Sequence, residues 1–434
     1  MKHAHNLLPA VVACLLASTA FAQDWPQWRG PNRDGKAAAF TAPQNWPKTL
    51  VQKWKVAVGE GVATPALAGD RLYVFSRQDN NEVIRCLDAA TGKEIWIDKY
   101  ESQGVSGPAA RFSGPRSSPA VAEGKVVALG VRGIVSCLDA ATGTKLWRKD
   151  DFQGATPRFA TACSPMIVDG LCILQLGGDS GAVVAYNLAD GREKWRWAGG
   201  DGASYSSPVL MTAGNARLVV VMTERRVVGI SLADGKLAWE TPFVVQGMRG
   251  YNACTPIIAD ARTVVFSGGG RGTIAVTIDK QNDAFVAKQV WTNPDKAVQF
   301  NTPVARDGML YGLSATDELF CLNLATGQTL WGTPIGGRGA AGQTGPAGAA
   351  GDAGRRGPGM GGPRPGFGSI VDAGTVLAAL TPAMDLLVFK PDGKQYAEVA
   401  RIRVAQSPTY AHPVLSGNRI FIKDEDSVIL WTLE

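Results

Sequence analysis

The stretch Leu87-Asp-Ala-Ala-Thr-Gly-Lys-Glu-Ile-Trp96 returns almost unchanged as Leu138-Asp-Ala-Ala-Thr-Gly-Thr-Lys-Leu-Trp147. Weaker copies of the same phrase end at Trp195, Trp239 and Trp331. Recurrence at an interval of about 45 residues is typical of one supersecondary unit stacked many times. The repeat therefore predicts the architecture of most of the chain.

Each repeat begins with a small polar residue, or once with histidine, and in all but one unit a proline follows. Three apolar strands, an Asp-x-x-Thr-Gly turn and a strand ending in tryptophan complete the unit. Four short strands joined by tight turns predict an antiparallel sheet, and such sheets arranged radially form a β-propeller. Eight starts predict an all-β, eight-bladed fold: Thr64-Pro65, Ser118-Pro119, Ser164-Pro165, Ser207-Pro208, Thr255-Pro256, Thr302-Pro303, Ser369-Ile370 and His412-Pro413.

The residues of the phrase have structural roles. Asp88 is expected to accept backbone N–H groups of its own turn, and Gly92 supplies the positive φ that a tight reversal needs. Trp96 is expected to pack between neighbouring sheets, where an aromatic side chain buries a large apolar surface. The same packing role is predicted for seven tryptophans: Trp54, Trp96, Trp147, Trp195, Trp239, Trp291 and Trp331.

Some units depart from the pattern. The fifth, ending over Ile274–Trp291, has a longer hairpin without Thr-Gly, and the seventh has no tryptophan near Ala397. The last unit, Ala411–Leu433, supplies only three strands. We expect Val51–Val58 to be its fourth strand, because pairing of the two chain ends closes the ring and removes exposed sheet edges.

The stretch from Cys86 to Trp96 resembles the tryptophan-docking motif of the pyrroloquinoline-quinone (PQQ)-type propeller family. That family includes quinoprotein alcohol dehydrogenases and the outer-membrane assembly propeller lipoprotein. The resemblance covers roughly residues 50–434, and the segment Trp25–Pro31 is similar to segments that precede such propellers in exported bacterial proteins. The resemblance implies a fold shared by enzymes and non-catalytic scaffolds.

The N-terminus predicts export. Lys2, the apolar run Leu7–Ala20 and the small residues of Ala20-Phe-Ala22 match a signal peptide over residues 1–22. Processing as a lipoprotein at Cys14 is the alternative. We expect a periplasmic or secreted protein without a transmembrane segment, and the net charge of +6 without a basic run disfavours nucleic-acid binding.

Six cysteines follow the predicted signal peptide. Cys86, Cys137 and Cys321 hold the same place in three repeats, and Cys163 and Cys254 share another. Equivalent places in different blades lie too far apart for a bond that needs Cα atoms within about 7 Å. We therefore predict free, buried thiols.

The remaining segments complete the predicted domain organisation. Residues 23–50 form an N-terminal extension, and residues 51–434 form the propeller. A glycine-rich insertion over residues 334–368 interrupts the seventh unit, with glycine at every third position from Gly336 to Gly359. Proline is too scarce and the run too short for a collagen-like helix, so we expect a solvated loop.

Few residues suggest catalysis. His412 is the one histidine after the signal peptide, which disfavours a histidine metal cluster or a Ser-His-Asp triad. The quinoprotein enzymes to which the chain is similar use an adjacent cysteine pair, a Ca²⁺ site and a catalytic aspartate. No Cys-Cys dipeptide occurs here, so we predict no cofactor; PQQ and Ca²⁺ enter only under the dehydrogenase alternative.

One group of residues remains as a candidate ligand site. The loops that precede the strand starts should all open on one face, around the central channel. Arginines and aromatic rings converging there suit a planar anionic ligand, whereas the structural alternative is that they plug the funnel. The candidates are Arg116, Arg158, Phe159, Tyr205, Arg249, Tyr251, Phe300, Tyr410 and His412.

Three functions remain open. The first is a non-catalytic propeller, expected as a monomer, that binds envelope proteins or peptides as a scaffold. The second is a PQQ-dependent alcohol or sugar dehydrogenase with a reduced active site. The third is a sugar-binding propeller that uses the aromatic funnel.

Overall fold

A computed structural model describes residues 24–38, 40–245, 247, 250–282, 284–335 and 365–433. The predicted signal peptide with Cys14, and nearly all of the glycine-rich insertion, lie outside the described residues. The strands form eight four-stranded antiparallel sheets, which confirms the eight-bladed propeller. The helical content of the described residues is one 3₁₀ helix, Gly107–Phe112, and no described helix is long and apolar enough to cross a membrane.

The first four blades follow each other in sequence. Their strands, from the channel outwards, are β2 (Ala66–Ala68), β3 (Arg71–Gln78), β4 (Asn81–Asp88) and β5 (Glu94–Glu101); β6 (Ala120–Ala122), β7 (Lys125–Leu129), β8 (Val135–Asp139) and β9 (Lys145–Lys149); β10 (Met166–Val168), β11 (Leu171–Leu176), β12 (Ala182–Asn187) and β13 (Glu193–Trp197); and β14 (Val209–Ala213), β15 (Ala216–Met222), β16 (Arg226–Ser231) and β17 (Leu237–Pro242).

The last four blades end with the closure of the ring. Their strands are β18 (Ile257–Ile258), β19 (Thr263–Gly268), β20 (Gly272–Gln281) and β21 (Ala284–Asn293); β22 (Val304–Arg306), β23 (Met309–Leu313), β24 (Glu318–Asn323) and β25 (Thr329–Pro334); β26 (Ser369–Asp372), β27 (Leu377–Leu380), β28 (Asp385–Phe389) and β29 (Glu398–Arg403); and β30 (Val414–Ser416), β31 (Arg419–Lys423), β32 (Ser427–Thr432) and β1 (Val51–Ala57). Because β1 pairs antiparallel with β32, the predicted closure is confirmed.

The repeated phrase joins two neighbouring blades. Trp96, on the outer strand of blade 1, donates its indole N–H to the carbonyl of Ala140 in the turn of blade 2, at 3.1 Å. Gly143 of that turn has a φ of +74°, and a Cβ there would lie 2.6 Å from the Trp96 ring. Glycine is therefore required for the turn and for the packing of tryptophan at once.

Five further seams between blades repeat this hydrogen bond. In each, the indole N–H donates to a carbonyl of the next blade's turn, at 2.7 to 3.3 Å. The pairs are Trp54–Ala89, Trp147–Leu188, Trp195–Leu232, Trp291–Leu324 and Trp331–Asp392. The docking role is thus observed for six of the seven predicted tryptophans.

Two seams differ, and each difference matches a departure in the sequence. Trp239 of blade 4 faces the long hairpin of blade 5, and its buried indole N–H has no partner among the described residues. In blade 7, Ala400 occupies the tryptophan position, since it pairs with Val388 as Trp331 pairs with Cys321. A tryptophan at that position would face blade 8, where the two chain ends replace the turn.

A ring of hydrogen bonds joins the starts of the inner strands, and we call the serine and threonine residues that form it the hydroxyl ring. The backbone N–H of each ring residue donates to the hydroxyl of the next, at 2.9 to 3.1 Å, in the order Thr64, Ser118, Ser164, Ser207, Thr255 and Thr302. The N–H of His412 donates to Thr64, which continues the ring from blade 8 to blade 1. These contacts explain the Ser/Thr-Pro starts, because a short hydroxyl side chain satisfies a buried N–H of the neighbouring blade.

The N-terminal extension inserts into the propeller. Trp25 pairs with Leu67 of blade 1. The buried Arg29 guanidinium donates to the carbonyls of Thr302 and Pro303 at 2.7 and 2.8 Å. Arg33, also buried, donates on the opposite side of the ring to Ser164 and Pro165. The extension therefore ties blades 3 and 6 together and closes one end of the channel.

The packing between blades forms the hydrophobic core. Residues from adjacent sheets make up each buried cluster, so no blade has a core of its own. The six described cysteines are free and buried, as predicted.

Candidate functional site

A cavity of about 490 Å³ lies on the axis, where the blades converge. Its lower wall is formed by His412 and by the hydroxyl ring without Ser164. Its upper wall is formed by the side chains two positions ahead of the ring residue in each blade: Val62, Arg116, Ala162, Tyr205, Ala253, Phe300, Phe367 and Tyr410. The cavity is thus bounded by two layers of equivalent positions.

Most of the predicted candidates line this cavity. Arg158 is not among the lining residues; its guanidinium lies over the Phe159 ring at 5.3 Å. Arg249 lies outside the described residues. The seven candidates brought together are Arg116, Phe159, Tyr205, Tyr251, Phe300, Tyr410 and His412. Their role in binding a ligand stays a prediction.

The sequence analysis missed three aromatic residues of the wall. Trp28 comes from the N-terminal extension, and nothing in the repeat indicates where that segment lies. Phe112 lies in the 3₁₀ helix between blades 1 and 2. Phe367 precedes Ser369 by two residues, as Phe300 precedes Thr302, and this offset was the signal that could have found it.

Seven aromatic rings form a continuous series around the cavity. Phe300 and Phe367 are stacked at 3.8 Å with an interplanar angle of 7°, and the other neighbours in the series lie 5.0 to 6.1 Å apart between centroids. The series runs Phe159, Tyr205, Tyr251, Phe300, Phe367, Phe112 and Tyr410. These rings give the site extended apolar faces bordered by phenol hydroxyls.

Arg116 is held by backbone carbonyls. Its guanidinium donates to the carbonyl oxygens of Phe159, Ala109 and Phe112, the last at 2.9 Å. Burial lowers the pKa of Arg116 to about 10, so the side chain stays charged at neutral pH. It satisfies loop carbonyls, which was the structural alternative, and at the same time brings a positive charge to the cavity wall.

His412 is buried in the lower wall. Its Nε2 has no hydrogen-bond partner among the described residues, and its ring meets Trp28 edge-on at 5.7 Å. Burial, with a smaller contribution from the charge of Arg29, lowers the pKa of His412 to about 3. The imidazole is therefore neutral at physiological pH, and in the tautomer that carries its hydrogen on Nδ1 the Nε2 atom accepts a hydrogen bond.

The floor of the cavity is Trp28 with two cations beside it. The guanidinium carbons of Arg29 and Arg33 each lie 5.6 Å from the centroid of the Trp28 ring. Burial lowers the pKa of both arginines to about 10, so both remain charged at neutral pH. The site thus combines a positive field with an aromatic base.

The residues around the cavity do not fit PQQ with a calcium ion. Among the residues that the structure describes, no group of three or more His, Cys, Asp or Glu side chains is placed to hold a metal. No two cysteines are adjacent in the sequence. Arg116, the one lining arginine described, already donates to three carbonyls instead of offering a fork to a carboxylate.

A family model described as "Outer membrane protein assembly factor BamB" matches residues 33–198 and 80–333 of this chain. The two matches together extend from residue 33 to residue 333, which is more than half of the chain. They include the repeated phrases of blades 1 to 6 and the end of the N-terminal extension.

Individual proteins of two kinds are similar. The outer membrane protein assembly factor BamB of Yersinia pestis is 27% identical over 47% of this chain and 53% of its own length, so the match spans about half of that relative. A quinohemoprotein alcohol dehydrogenase of Comamonas testosteroni is 27% identical over 31% of this chain and 19% of its own. The crystal structure of BamB from Moraxella catarrhalis shares the fold, with a TM-score of 0.60 and 14% identity over 88% of this chain and 100% of that one.

Proposed function

Since the chain belongs to the PQQ-type β-propeller family represented by the outer membrane protein assembly factor BamB, we propose that it is a non-catalytic propeller of the cell envelope that binds another protein. The names of the assembly-factor relatives support a role in the envelope. The observation that carries the proposal is the outer strand of blade 5, which is built differently from the other outer strands.

Every outer strand is an unpaired sheet edge, and each carries a β-bulge. The strand register shifts in all eight, and one residue before the tryptophan position is left without a partner. Bulges protect edges from pairing with other chains. The bulged residues are Lys53, Ile95, Leu146, Lys194, Ala238, Val290, Leu330 and Val399.

The outer strand of blade 5 extends well beyond its bulge. Over Ala284–Gln289 it pairs with β20 in unbroken register, and Lys288 is the one charged residue of this stretch. Val286 and Val290 are 40% and 51% exposed. In blade 1 only Glu94 of β5 precedes the bulge, and the long part of that strand, Trp96–Glu101, follows the bulge and includes four charged or phenolic side chains. The blade 5 edge is therefore the less protected one, and it suits an added strand with apolar residues and an acidic group opposite Lys288.

The long hairpin of blade 5 removes a hydrogen bond from the seam between blades 4 and 5. Because the long hairpin replaces the Asp-x-x-Thr-Gly turn, the buried indole N–H of Trp239 is left without an acceptor among the described residues. Departures from a local rule are expected where function requires them. Phe285 and Ala287 of the extended strand pack against the cluster that contains Trp239, so blade 4 covers one face of the strand and leaves the face with Val286 exposed. The lost indole hydrogen bond beside this half-covered strand supports a binding role for the exposed part.

The donor set around the axial cavity supports the scaffold over the dehydrogenase. The described residues offer no cluster of metal ligands, and Arg116, the one described arginine of the lining, donates to three carbonyls. The resemblance to the dehydrogenases is accounted for by the shared repeat, whose aspartates act in turns: Asp88 and Asp139 each accept the N–H of the threonine three residues on.

Site-specific photo-crosslinking in the native envelope tests the proposal. A photoreactive amino acid at Val286 should crosslink one envelope protein, through an extended segment that mass spectrometry identifies. The same group at Leu146, which is 43% exposed on a bulged outer strand of blade 2, is the matched control and should give at least tenfold less of that product.

A double substitution provides the second arm. Val286→Glu with Val290→Glu places charges along the edge and, with the photoreactive amino acid moved to the exposed Gln289, should reduce the crosslink at least tenfold without a change in the melting temperature, since both valine side chains are exposed. Equal crosslinking from blades 2 and 5, or an undiminished product in the double variant, would contradict strand addition at this edge.

A further inference from the structure

The hydroxyl ring offers donors to the axial cavity. Thr64, Ser118, Ser207, Thr255 and Thr302 line it, and each hydroxyl oxygen already accepts a backbone N–H from the preceding blade. A hydroxyl has one hydrogen to donate in addition to its lone pairs. With the oxygen engaged by the neighbouring blade, that hydrogen is available to an acceptor in the cavity.

With the His412 hydrogen on Nδ1, the same cavity contains two buried acceptors without a partner among the described residues. His412 Nε2 and Asn301 Oδ1 make no hydrogen bond among the described residues, and these side chains belong to residues that are 7% and 6% exposed. The amide nitrogen of Asn301 donates to the carbonyls of Leu313 and Gly366, which orients the amide oxygen. Because an unmatched buried acceptor is costly, a matching ligand must donate as well as accept.

The charge around the cavity is positive. Arg29, Arg33 and Arg116 are all largely buried, and the acceptors of their hydrogen bonds are carbonyl oxygens and the side-chain amide oxygen of Gln27, not carboxylates. Asp34 opposes the charge of Arg29. Three cations against one carboxylate leave an excess that a bound anion would neutralise in a poorly solvated site.

We propose that the axial cavity binds a sugar acid, a monosaccharide-sized carbohydrate with one carboxylate. Its hydroxyls donate to His412 and Asn301 and accept from the hydroxyl ring. Its C–H faces pack on the aromatic series above Trp28, and its carboxylate lies in the field of the arginines. A volume of about 490 Å³ is in the range of small-molecule sites.

This assignment differs from that of a planar aromatic polycarboxylate. Such a ligand would use the positive field and the aromatic rings, but it has few hydrogens to donate to His412 and Asn301. A neutral sugar would satisfy both acceptors but would leave the arginines without a counter-charge. A sugar acid matches the positive charge, the aromatic faces and the unpartnered acceptors. This proposal does not depend on protein binding at blade 5.

The ligand has one end of the channel through which to enter. Arg29 and Arg33 tie the N-terminal extension to blades 6 and 3, and Trp28 forms the cavity floor. A polysaccharide cannot thread through, so the occupant is a free sugar acid or the terminal residue of a chain.

Calorimetric titration of the full protein with galacturonate and glucuronate tests the proposal. We expect saturable one-site binding of at least one of them, with galactose and glucose at least tenfold weaker. A hexuronate disaccharide that binds as well as the monomer would identify a chain end, and a disaccharide that fails would identify the free acid. Binding of PQQ alone, equal binding of neutral sugars, or no binding of any sugar would overturn the proposal.

Variants locate the site. Phe300→Ala, which removes a wall of the cavity, should weaken hexuronate binding at least tenfold, whereas Phe285→Ala on β21 should leave it unchanged. If Phe300→Ala does not fold, Arg116→Gln removes a positive charge from the wall and should weaken hexuronate binding, whereas Arg116→Lys keeps that charge and should retain binding. Saturation-transfer NMR on the unaltered protein must in addition show contacts from aromatic protons to the sugar ring.

The two proposals fail separately. Val286→Glu with Val290→Glu should abolish the protein crosslink and retain hexuronate binding, and Phe300→Ala should do the reverse. Loss of both activities in either variant would mean that a common fold defect, not two sites, had been measured.

Discussion

The seams between the blades and the wall of the axial cavity are built on the same eightfold plan, and they use it in opposite ways. At six seams the same residue types recur, and each indole N–H finds a carbonyl on the next blade. In the upper wall of the cavity, the eight equivalent positions carry five residue types, from alanine to arginine.

The repeated positions of the hydroxyl ring and the variable positions of the cavity wall are only two residues apart in the sequence. In the hydroxyl ring, a backbone N–H of the neighbouring blade needs an acceptor, and this need selects serine or threonine in blade after blade. Two residues earlier, most side chains face the cavity and no shared backbone requirement selects their type. Repetition therefore marks positions that the fold needs, and variation marks positions that a ligand can use.

The largest expected effect is at a seam. Gly143→Ala should lower the free energy of unfolding by about 3 kcal/mol, because a non-glycine residue at positive φ costs roughly 1–2 kcal/mol and overpacking against an indole adds roughly as much. Gly124→Ala, at a φ of +70° with no atom near the added Cβ, is the control and should lose only the part of the free energy of unfolding that comes from the backbone conformation. Chemical denaturation measures both, and equal losses would show that the contact with Trp96 does not matter.

The next effect is in the cavity wall and depends on pH. The folded-state pKa of His412 is about 3, below the ordinary value of 6.5, so the unfolded chain binds a proton that the folded chain excludes. Stability should therefore fall as the pH drops below 6.5, by roughly 1.4 kcal/mol per pH unit, until the folded-state pKa is approached.

His412→Gln removes this titration and is the comparison for the pH experiment. Denaturation midpoints measured from pH 7 to pH 4.5 should decline more steeply for the unaltered protein than for the variant. Parallel pH profiles would show that His412 is protonated or solvated in the folded state, and the cavity would then be as polar as the surface.

The smallest expected effect compares a seam that has the indole hydrogen bond with the seam between blades 4 and 5, which lacks it among the described residues. Trp195→Phe removes an indole N–H that donates to Leu232 at 2.9 Å, whereas Trp239→Phe removes one that has no acceptor in the described part of the chain. Both lose a similar apolar area, so Trp195→Phe should cost about 1 kcal/mol more, the net worth of one hydrogen bond. Equal losses in thermal unfolding would mean that the indole hydrogen bonds contribute little to the seams.

The seam residues were predictable because their partners repeat along the chain. The aspartate, glycine and tryptophan of one copy indicate the turn and the packing of every other copy, and the departures in units five and seven were visible in the sequence. The sequence did not show why blade 7 lacks the tryptophan. In the structure that position faces blade 8, where the two chain ends pair and no turn is present to accept an indole N–H.

The cavity was predictable in part. Tyr205, Phe300 and Tyr410 stand at a constant offset from the strand starts, so their convergence followed from the repeat. The engagement of Arg116 with three carbonyls did not follow, because two of those carbonyls belong to the irregular segment around the 3₁₀ helix.

By itself the sequence determined the all-β class, the eight blades, the closure of the ring and the residues that form its seams. These features depend on contacts between equivalent positions, and in a repeat the same residue types recur at those positions. The tertiary structure alone decided that the N-terminal extension closes the channel, that Trp28 becomes the cavity floor, and that His412 Nε2 and Asn301 Oδ1 have no hydrogen-bond partner among the described residues. Those contacts join segments that occur once, and only the folded chain brings them within hydrogen-bonding distance.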